Sequence, residues 1–335
     1  MLFSVIIPVF NRPDELEELL ESIALQQYNN CEVIVVEDGS TKSSRSLCNK
    51  YSLHYLYKEN GGPALARNFG ARHAEGEYLL FLDSDTILPE GYFRKLESFI
   101  ITHPDISLLG GPDRAAENFS PLQKAISYSM TSFFTTGGIR GGKHKISRFI
   151  PRSFNMAVKR SVFEACSGFA PLRFGEDMDL SMRILESGEE SALVEETWLY
   201  HKRRTSLRQF YRQVCNSGRA RIELSLRHRH SLKLVHLLPL LFTLVCGALV
   251  LSCALVAGRM GWSSLFFLCP ILLYALLLFL HSSIKEKSPK IGLLSVCAAF
   301  VQLWGYGLGF IDNFFKRCIF KRQAVSNIDN EGFYR

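Results

Sequence analysis

Nine cysteines are scattered over the 335 residues with neither the pairing of a disulfide framework nor the short spacing of a zinc module. That excludes a disulfide-stapled secreted scaffold and fits reduced thiols in a protein facing the cytosol. A secretory leader is not expected either: Met1–Phe10 lacks a basic lead-in, is too short, and reads as a buried first strand. Acidic residues almost vanish between His201 and Lys233, where Glu223 stands alone against a run of Arg and Lys from Lys202 to Lys233, so much of the net charge of +7 is local. Basic charge directly before an apolar run marks a juxtamembrane cytoplasmic flank. No nucleic-acid-binding motif accompanies it. Membrane lipids with anionic headgroups and phosphorylated substrates are therefore the expected partners, and nucleic acid is not.

Charge is also missing from Leu234–Ala257, apart from His236 near its start, and this stretch is long enough to span a bilayer. Ser264–Leu280 is a shorter candidate with Trp262 at its edge, where aromatic anchors sit. Ile291–Ile311 is a third, and its Gly305, Gly307 and Gly309 allow close helix packing. The positive-inside rule places His201–Lys233 and Lys285–Lys290 in the cytoplasm. Three spans would then put Lys316, Arg317, Lys321 and Arg322 outside, against the same rule. Either the third segment is re-entrant or interfacial, or packing overrides the bias. The expected organisation is a cytoplasmic domain over residues 1–230, a membrane region over 231–315 and a basic tail over 316–335.

Before residue 230 the pattern is that of an α/β protein. Apolar runs ending in turn or acidic residues predict strands at Leu2–Phe10, Glu32–Glu37, His54–Lys58, Tyr78–Leu82 and Ile106–Leu109. Helical spacing predicts helices at Pro13–Gln27, Ser43–Tyr51, Pro63–Ala74 and Pro89–Ile101, with Pro13, Pro63 and Pro89 each suited to a first turn. Such alternation implies a mostly parallel sheet with helices on both faces. Residues 110–150 are less regular and rich in Gly, Ser and Thr, notably Thr135–Gly142, which reads as a loop over a site or on the surface. Phe154–Val158 and Ala192–Tyr200 read as later strands.

The residue pattern most in need of explanation is Asp83-Ser84-Asp85, straight after the apolar Tyr78–Leu82. Two carboxylates one residue apart at the end of a buried strand must face solvent, backbone donors or a cation. Mg²⁺ or Mn²⁺ takes such oxygen ligands and shares them with a diphosphate. Ligands in open α/β sheets gather at the carboxyl ends of strands. The competing role is a turn and helix N-cap. Asp38, in Val36-Glu37-Asp38-Gly39-Ser40, could accept hydrogen bonds from a uracil N–H or a ribose hydroxyl, with Gly39 admitting the ligand; a plain Asp-Gly turn is the alternative. Gly61-Gly62 opens a helix carrying Arg67 one turn in, a combination able to face phosphate or to be an ordinary capped helix. Glu176-Asp177-Met178-Asp179 opens the helix Met178–Glu186. Acids favour a first turn, yet three in four residues exceeds what capping needs, and neighbouring carboxylates can raise one another's pKa, as suits a general base. His201 could add imidazole to the metal held by Asp85, or simply be exposed.

Taken in order, Val5–Arg12, Val36–Ser40, Ala66–Gly70, Phe81–Asp85 and Gly175–Leu180 resemble family 2 glycosyltransferases, over roughly residues 1–220. The resemblance implies a GT-A-type mostly parallel sheet flanked by helices, followed by a C-terminal helical membrane region. It implies a nucleotide-sugar site in which Pro8, Val9 and Asp38 line the base and ribose pocket and Arg67 and Ser84 lie close to the nucleotide. It further implies that Asp83 lies near ribose and metal, Asp85 ligates the Mg²⁺ or Mn²⁺ with His201 at the metal–diphosphate, and Asp177, beside Glu176, is the catalytic base. The expected activity is inverting, metal-dependent transfer from a UDP- or GDP-sugar to a lipid-linked or glycan acceptor at the plasma (inner) membrane, in cell-surface polysaccharide or glycolipid synthesis. A processive polysaccharide synthase is the alternative, but the Gln-x-x-Arg-Trp pattern of such enzymes is matched only by Gln209-Phe210-Tyr211-Arg212-Gln213, without the Trp. An inactive nucleotide-sugar-binding protein is less consistent with the carboxylate sets.

Overall fold

Continuous apolar character at one end of the chain and period-two alternation in its strands build the fold, which we describe from a computed structural model covering residues 3–114, 119–136, 149–229 and 231–322. Along the chain run β1 (Phe3–Val9), α1 (Pro13–Ala24), β2 (Cys31–Asp38), α2 (Arg45–Lys50), β3 (His54–Lys58), α3 (Pro63–Ala71), β4 (Tyr78–Leu82), β5 (Thr86–Ile87), α4 (Tyr92–Thr102), β6 (Ile106–Gly110) and β7 (Asp113–Arg114). Next come α5 (Pro121–Thr131), α6 (Phe133–Thr136), β8 (Asn155–Lys159), α7 (Arg160–Ala165), α8 (Glu176–Glu186), β9 (Glu190–Leu193), β10 (Leu199–His201) and α9 (Leu207–Arg227). Three apolar helices follow: α10 (Leu238–Met260), α11 (Cys269–Lys285) and α12 (Pro289–Phe314). The described residues divide into two compact units, 3–114 with 149–202 and 119–136 with 203–322.

The first unit is a seven-stranded sheet in the order β3-β2-β1-β4-β8-β6-β9. Its pairs are parallel except where β8 runs antiparallel to β4 and β6. The mostly parallel sheet read from the sequence is thus present, with one reversed strand. Alternation divides each strand between two cores. Phe3, Val5, Ile7 and Val9 of β1, with Tyr78, Leu80 and Leu82 of β4, meet α1 and α4 on one face. Ile6, Leu79 and Phe81 meet α3, α7 and α8 on the other. Helices on both faces explain why these strands read as unbroken apolar runs. Gly70 lets α3 lie close on the sheet, since a Cβ there would stand 2.7 Å from Ile6 Cγ2.

Several boundaries differ from the sequence reading. α4 begins at Tyr92, three residues after Pro89, because Gly91 at φ 73° takes the left-handed turn that precedes it. The single strand expected over Ala192–Tyr200 is two strands, β9 and β10, separated by a 3₁₀ turn at Glu195–Thr197. The irregular region 110–150 contains α5, started by a capping box in which Ser120 accepts from the Gln123 backbone N–H and Gln123 answers the Ser120 N–H. Of the Thr135–Gly142 stretch, residues 137–142 lie outside the described residues.

A second, three-stranded sheet has the order β5-β10-β7. Its β10 runs antiparallel to β5 and places His201 opposite Thr86, one residue past Asp85. This short pairing matters more for the site than its size indicates. It carries a histidine distant in sequence to the edge where the long strands end.

In the second unit α12 packs on α9, α5, α10 and α11. Three stretches are long and apolar enough to cross a membrane: Leu234–Arg259, Gly261–Lys285 and Pro289–Ile319.

Candidate active site

β1 lies between β2 and β4 with all three strands parallel, so their carboxyl ends share one edge. The chain order reverses at β1, which is the switch point where open α/β sheets leave a crevice for ligand. Val9 ends β1 with its side chain buried in the α1–α4 core, so its backbone alone can face that crevice. Pro8 sits one residue before it in register with Val36. Asn11 follows at φ 55°, and its side-chain oxygen accepts from the Thr41 and Lys42 backbone N–H groups at 2.8 and 3.0 Å. The loops after β1 and β2 are thereby tied into one wall.

Asp38 is fully buried at the end of β2. One carboxylate oxygen accepts from the Gly61 N–H at 2.9 Å and from Lys58 Nζ at 2.5 Å, and the other from the Gly62 N–H at 2.8 Å. The two glycine amides, left by the sequence between facing phosphate and an ordinary helix start, are turned onto Asp38. A Gly pair fits here because Gly62 has φ 90° and a side chain on Gly61 would meet Lys58. Lys58 has no sequence signal beyond its position at the end of β3.

Past β4, the turn carrying Asp83, Ser84 and Asp85 is closed by Thr86, whose N–H and hydroxyl both donate to the Asp83 carbonyl at 3.2 and 2.8 Å. Ser84 is buried in it. Asp83 remains about a third exposed, while the Asp85 side chain is largely covered. His201 Nε2 stands 3.2 Å from Asp85 Oδ1, and the Arg12 guanidinium pairs with Oδ2 at 3.0 Å. Asp83, Asp85 and His201 each present one ligand atom, all within 4.8 Å of one another. Two carboxylate oxygens and one imidazole nitrogen form a donor set suited to Mg²⁺ or, with its tolerance of nitrogen, Mn²⁺. The residues fit a divalent ion. Arg12 ends the stretch Val5–Arg12, but nothing in the sequence pattern says that it reaches Asp85.

Arg67 joins this turn to the second acidic cluster. Its side chain is almost entirely buried; one guanidinium nitrogen donates to Asp83 Oδ1 at 2.6 Å and another to Glu176 Oε1 at 3.1 Å. Burial alone would lower the Arg67 pKa, but Asp83 and Glu176 more than reverse that and hold it charged. α8 starts two residues earlier than the sequence indicates, with Glu176 and Asp177 inside its first turn after Gly175 at φ 81°. Asp177 Oδ2 pairs with Arg152 Nε at 2.8 Å, and Oδ1 accepts from the Met178 N–H at 2.7 Å. Asp179 serves structure: it anchors Arg183, which in turn donates to the Cys166 and Gly168 carbonyls and fixes the turn before α8. Arg152 leaves no signal in the sequence.

The Glu176 carboxyl is pushed up from 4.5 to about 7, first by burial and then by the charge of Asp177, against the pull of Arg67. A folded-state pKa above the unfolded value means that the native state holds the proton more tightly. The resulting stability is complete below pH 4.5 and is lost as pH rises through about 7. Thermal unfolding of the detergent-purified protein across that window is expected to show this loss, and Glu176→Gln to flatten the slope. An unchanged slope in the variant would assign the pH dependence to other groups.

Comparison with known proteins gives the family and the fold. A family model described as Glycosyl transferase family 2 matches residues 4–173, half of the chain. The minor teichoic acid biosynthesis protein GgaB of Bacillus subtilis (strain 168) is 29% identical over 210 residues, 60% of this chain and 23% of that protein. Glycosyltransferase GlyA of Streptococcus pneumoniae serotype 4 is 37% identical over 105 residues, 30% of this chain and 15% of that one. The chain therefore spans about a quarter or less of the length of these relatives. Among solved structures, the mannosyltransferase PcManGT from Pyrobaculum calidifontis, in complex with GDP-Man and Mn²⁺, superposes with a TM-score of 0.62 at 20% identity, covering 90% of this chain and 87% of that one. That likeness shows a shared GT-A-type fold. From the family match over residues 4–173, this chain belongs to glycosyl transferase family 2.

Proposed function

We propose that this protein is a membrane-anchored, inverting, metal-dependent glycosyltransferase. It would move one sugar from a UDP- or GDP-sugar to the hydroxyl of a lipid-linked or glycan acceptor, at the cytoplasmic face of the plasma (inner) membrane. The observation that carries this reading is the bridge made by Arg67, which joins the Asp83–Asp85–His201 cluster to Glu176-Asp177 at one sheet edge.

In this scheme the β1 end around Pro8 and Val9 and the Gly61-Gly62 turn that Asp38 holds in place receive base and ribose, and Asp83 and Ser84 stand beside the ribose. Arg67 stays next to the nucleotide because Glu176 and Asp83 hold it there. A divalent ion held by Asp83, Asp85 and His201 would supply positive charge to the departing nucleoside diphosphate. Asp177 takes the proton of the acceptor hydroxyl as its oxygen attacks the anomeric carbon. One such displacement inverts the anomeric centre and needs no covalent enzyme intermediate. The Mn²⁺- and GDP-Man-bound structural neighbour supports a nucleotide-sugar donor and a divalent ion. The apolar helices support an acceptor delivered at a lipid surface. The teichoic-acid name of one relative supports a role in cell-surface polymer or glycolipid synthesis.

The test is a donor screen on the detergent-purified protein, reading nucleoside diphosphate release from UDP- and GDP-sugars with and without a membrane lipid extract. Release from one donor, stimulated by the extract and yielding a product one sugar heavier, is expected. Donor binding with no release under any acceptor and metal would reduce the protein to a nucleotide-sugar-binding role. A ladder of products would make it a processive synthase.

A further inference from the structure

His201 reaches Asp85 on a very short strand. β10 spans Leu199–His201, meeting β5 through Tyr200–Ile87 and His201–Thr86 and β7 through Leu199–Asp113 and Tyr200–Arg114. A group in an ion site has to be held within about 0.5 Å of its working position, by neighbours that are themselves fixed. Two brief ladders at the edge of the fold are a weak hold for that purpose. The start of β8 supplies a stronger one.

Asn155 opens β8 and stands opposite Leu82 in the β4–β8 ladder, one residue before Asp83. Residues opposite one another in a ladder share a face, so the Asn155 side chain enters the core between the sheet and α1–α4 beside Leu82. It is 2% exposed. There Nδ2 donates to the Thr197 carbonyl at 2.8 Å, and Oδ1 accepts from the Tyr92 hydroxyl at 2.6 Å. Chemistry fixes the amide this way round. The Thr197 carbonyl can only accept, so it takes the NH₂ end. Tyr92 is buried, which pushes its phenol far up and keeps it protonated as a donor to Oδ1. Thr197 ends the 3₁₀ turn that feeds β10, its N–H and hydroxyl both donating to the Val194 carbonyl at 3.1 and 3.0 Å. Gly111 leaves room for this contact: a Cβ there would collide with the Thr197 carbonyl and stand 2.6 Å from Asn155 Nδ2. The preceding residue acts on the imidazole itself. The Phe154 ring lies 4.8 Å from the His201 ring, centroid to centroid, with 32° between their planes. That is a packed aromatic pair, and the His201 Nε2 is left facing Asp85 Oδ1 at 3.2 Å.

We infer that Phe154 and Asn155 are positioning residues of the ion site, holding His201 against Asp85 and so setting the affinity for a divalent cation. Asn155 fixes the backbone that enters β10, and Phe154 fixes the ring that β10 carries. Because β8 also pairs with the end of β4, one strand is tied both to the turn bearing Asp83 and Asp85 and to the imidazole that completes the set. The inference rests on the metal-dependent reading above. The competing role is plain core structure, in which Asn155 satisfies a buried carbonyl and Phe154 fills space, with no particular bearing on the ion.

A double-mutant cycle separates the two roles. Asn155→Leu keeps the size of the side chain and removes its donor and acceptor; Phe154→Leu removes the ring. Mn²⁺ alone is titrated into the full chain in detergent, with the free ion read by electron paramagnetic resonance, for the native protein, each variant, His201→Ala, and each variant combined with His201→Ala. Each single variant is expected to bind Mn²⁺ about tenfold more weakly, the lower end of what supporting residues contribute to a metal site. In the His201→Ala background neither should weaken binding further, because the effect passes through that imidazole. A loss of equal size with His201 absent would mark a general disturbance of the fold and overturn the proposal. Native affinity in a folded variant of either residue would overturn it as well. Should Asn155→Leu fail to fold, the Phe154→Leu cycle decides. A native chain that binds no Mn²⁺ would bring down the metal reading and this inference together, whereas native binding left intact by the variants removes the positioning role alone.

Discussion

Asp177→Asn is expected to lower kcat by about 10²–10⁴-fold, the usual worth of a positioned general base, while leaving donor affinity unchanged. The substitution keeps the size of the side chain and removes its ability to take a proton. The geometry makes it a clean experiment. The Asp177 carboxylate is held by Arg152 at 2.8 Å and by the Met178 N–H at 2.7 Å, and neither contact involves Arg67 or the Asp83 turn. The ion pairs of Arg67 with Asp83 and Glu176 therefore keep their partners, although the loss of the Asp177 charge also removes one of the causes that raise Glu176. Donor binding measured by calorimetry and single-turnover transfer measured on the same preparation separate the two effects. Weakened donor binding with transfer lost in proportion would move Asp177 to the donor site. A loss below about tenfold would hand the base role to another group, and Glu176, pushed up to about 7, would be the first to examine. Arg152 adds a second layer to this expectation. Its pairing with Asp177 fixes the carboxylate orientation, so Arg152→Ala should reduce kcat less than Asp177→Asn does.

The parts of this fold that can be read from sequence share a physical property: their signal is local. β1, β2 and β4 are buried on both faces and show as continuous apolar runs ending in turn or acidic residues. α1 and α3 begin at Pro13 and Pro63, where a missing N–H costs nothing. What escapes is set by competing or averaged signals. Pro89 marks a helix start by itself, but the left-handed Gly91 moves that start to Tyr92. The capping box Ser120-Pro121-Leu122-Gln123 is present in the sequence and is hidden by the Gly, Ser and Thr content of the region around it. The split of Ala192–Tyr200 into β9 and β10 depends on which neighbours each half pairs with, β6 in one case and β5 with β7 in the other.

The same division holds for the site. Carboxylates stranded at the ends of apolar strands are conspicuous in a sequence because burial would penalise them. That is why Asp38, Asp83 and Asp85 stand out from the order of residues alone, and why Asp177 does so as part of an acidic run longer than capping needs. His201 is visible there only as a residue after a strand; the antiparallel pairing of β10 with β5 brings it to Asp85. The basic partners are illegible for a different reason. Arg12, Lys58 and Arg152 are long, flexible side chains whose usual place is the solvent, and their carboxylates are chosen by tertiary contact. Asp179, the third acid of that cluster, holds Arg183 instead.

Asp85→Ala is expected to remove both turnover and the dependence of donor binding on Mg²⁺ or Mn²⁺. Added ion should raise the melting temperature of the native protein, because a ligand that binds only the folded state stabilises it. The Asp85→Ala protein should show no such rise, and excess EDTA should bring the native enzyme down to the activity of the variant. One structural complication is built into the site. Asp85 also pairs with Arg12, so its removal frees a guanidinium as well as deleting a ligand oxygen. Arg12→Ala separates the two consequences: it should keep the ion-dependent rise in melting temperature, because Asp83, Asp85 and His201 all remain. If Arg12→Ala instead reproduces every effect of Asp85→Ala, the carboxylate acts through its ion pair. Full activity of the native protein in excess EDTA would rule out a divalent ion altogether, leaving Arg12 and Arg67 as the positive charge facing the departing diphosphate. Arg67 pairs with Asp83 and Arg12 with Asp85. The turn is thus already neutralised on both flanks, and its remaining oxygens and His201 are the groups whose ligand the titration with Mn²⁺ would identify.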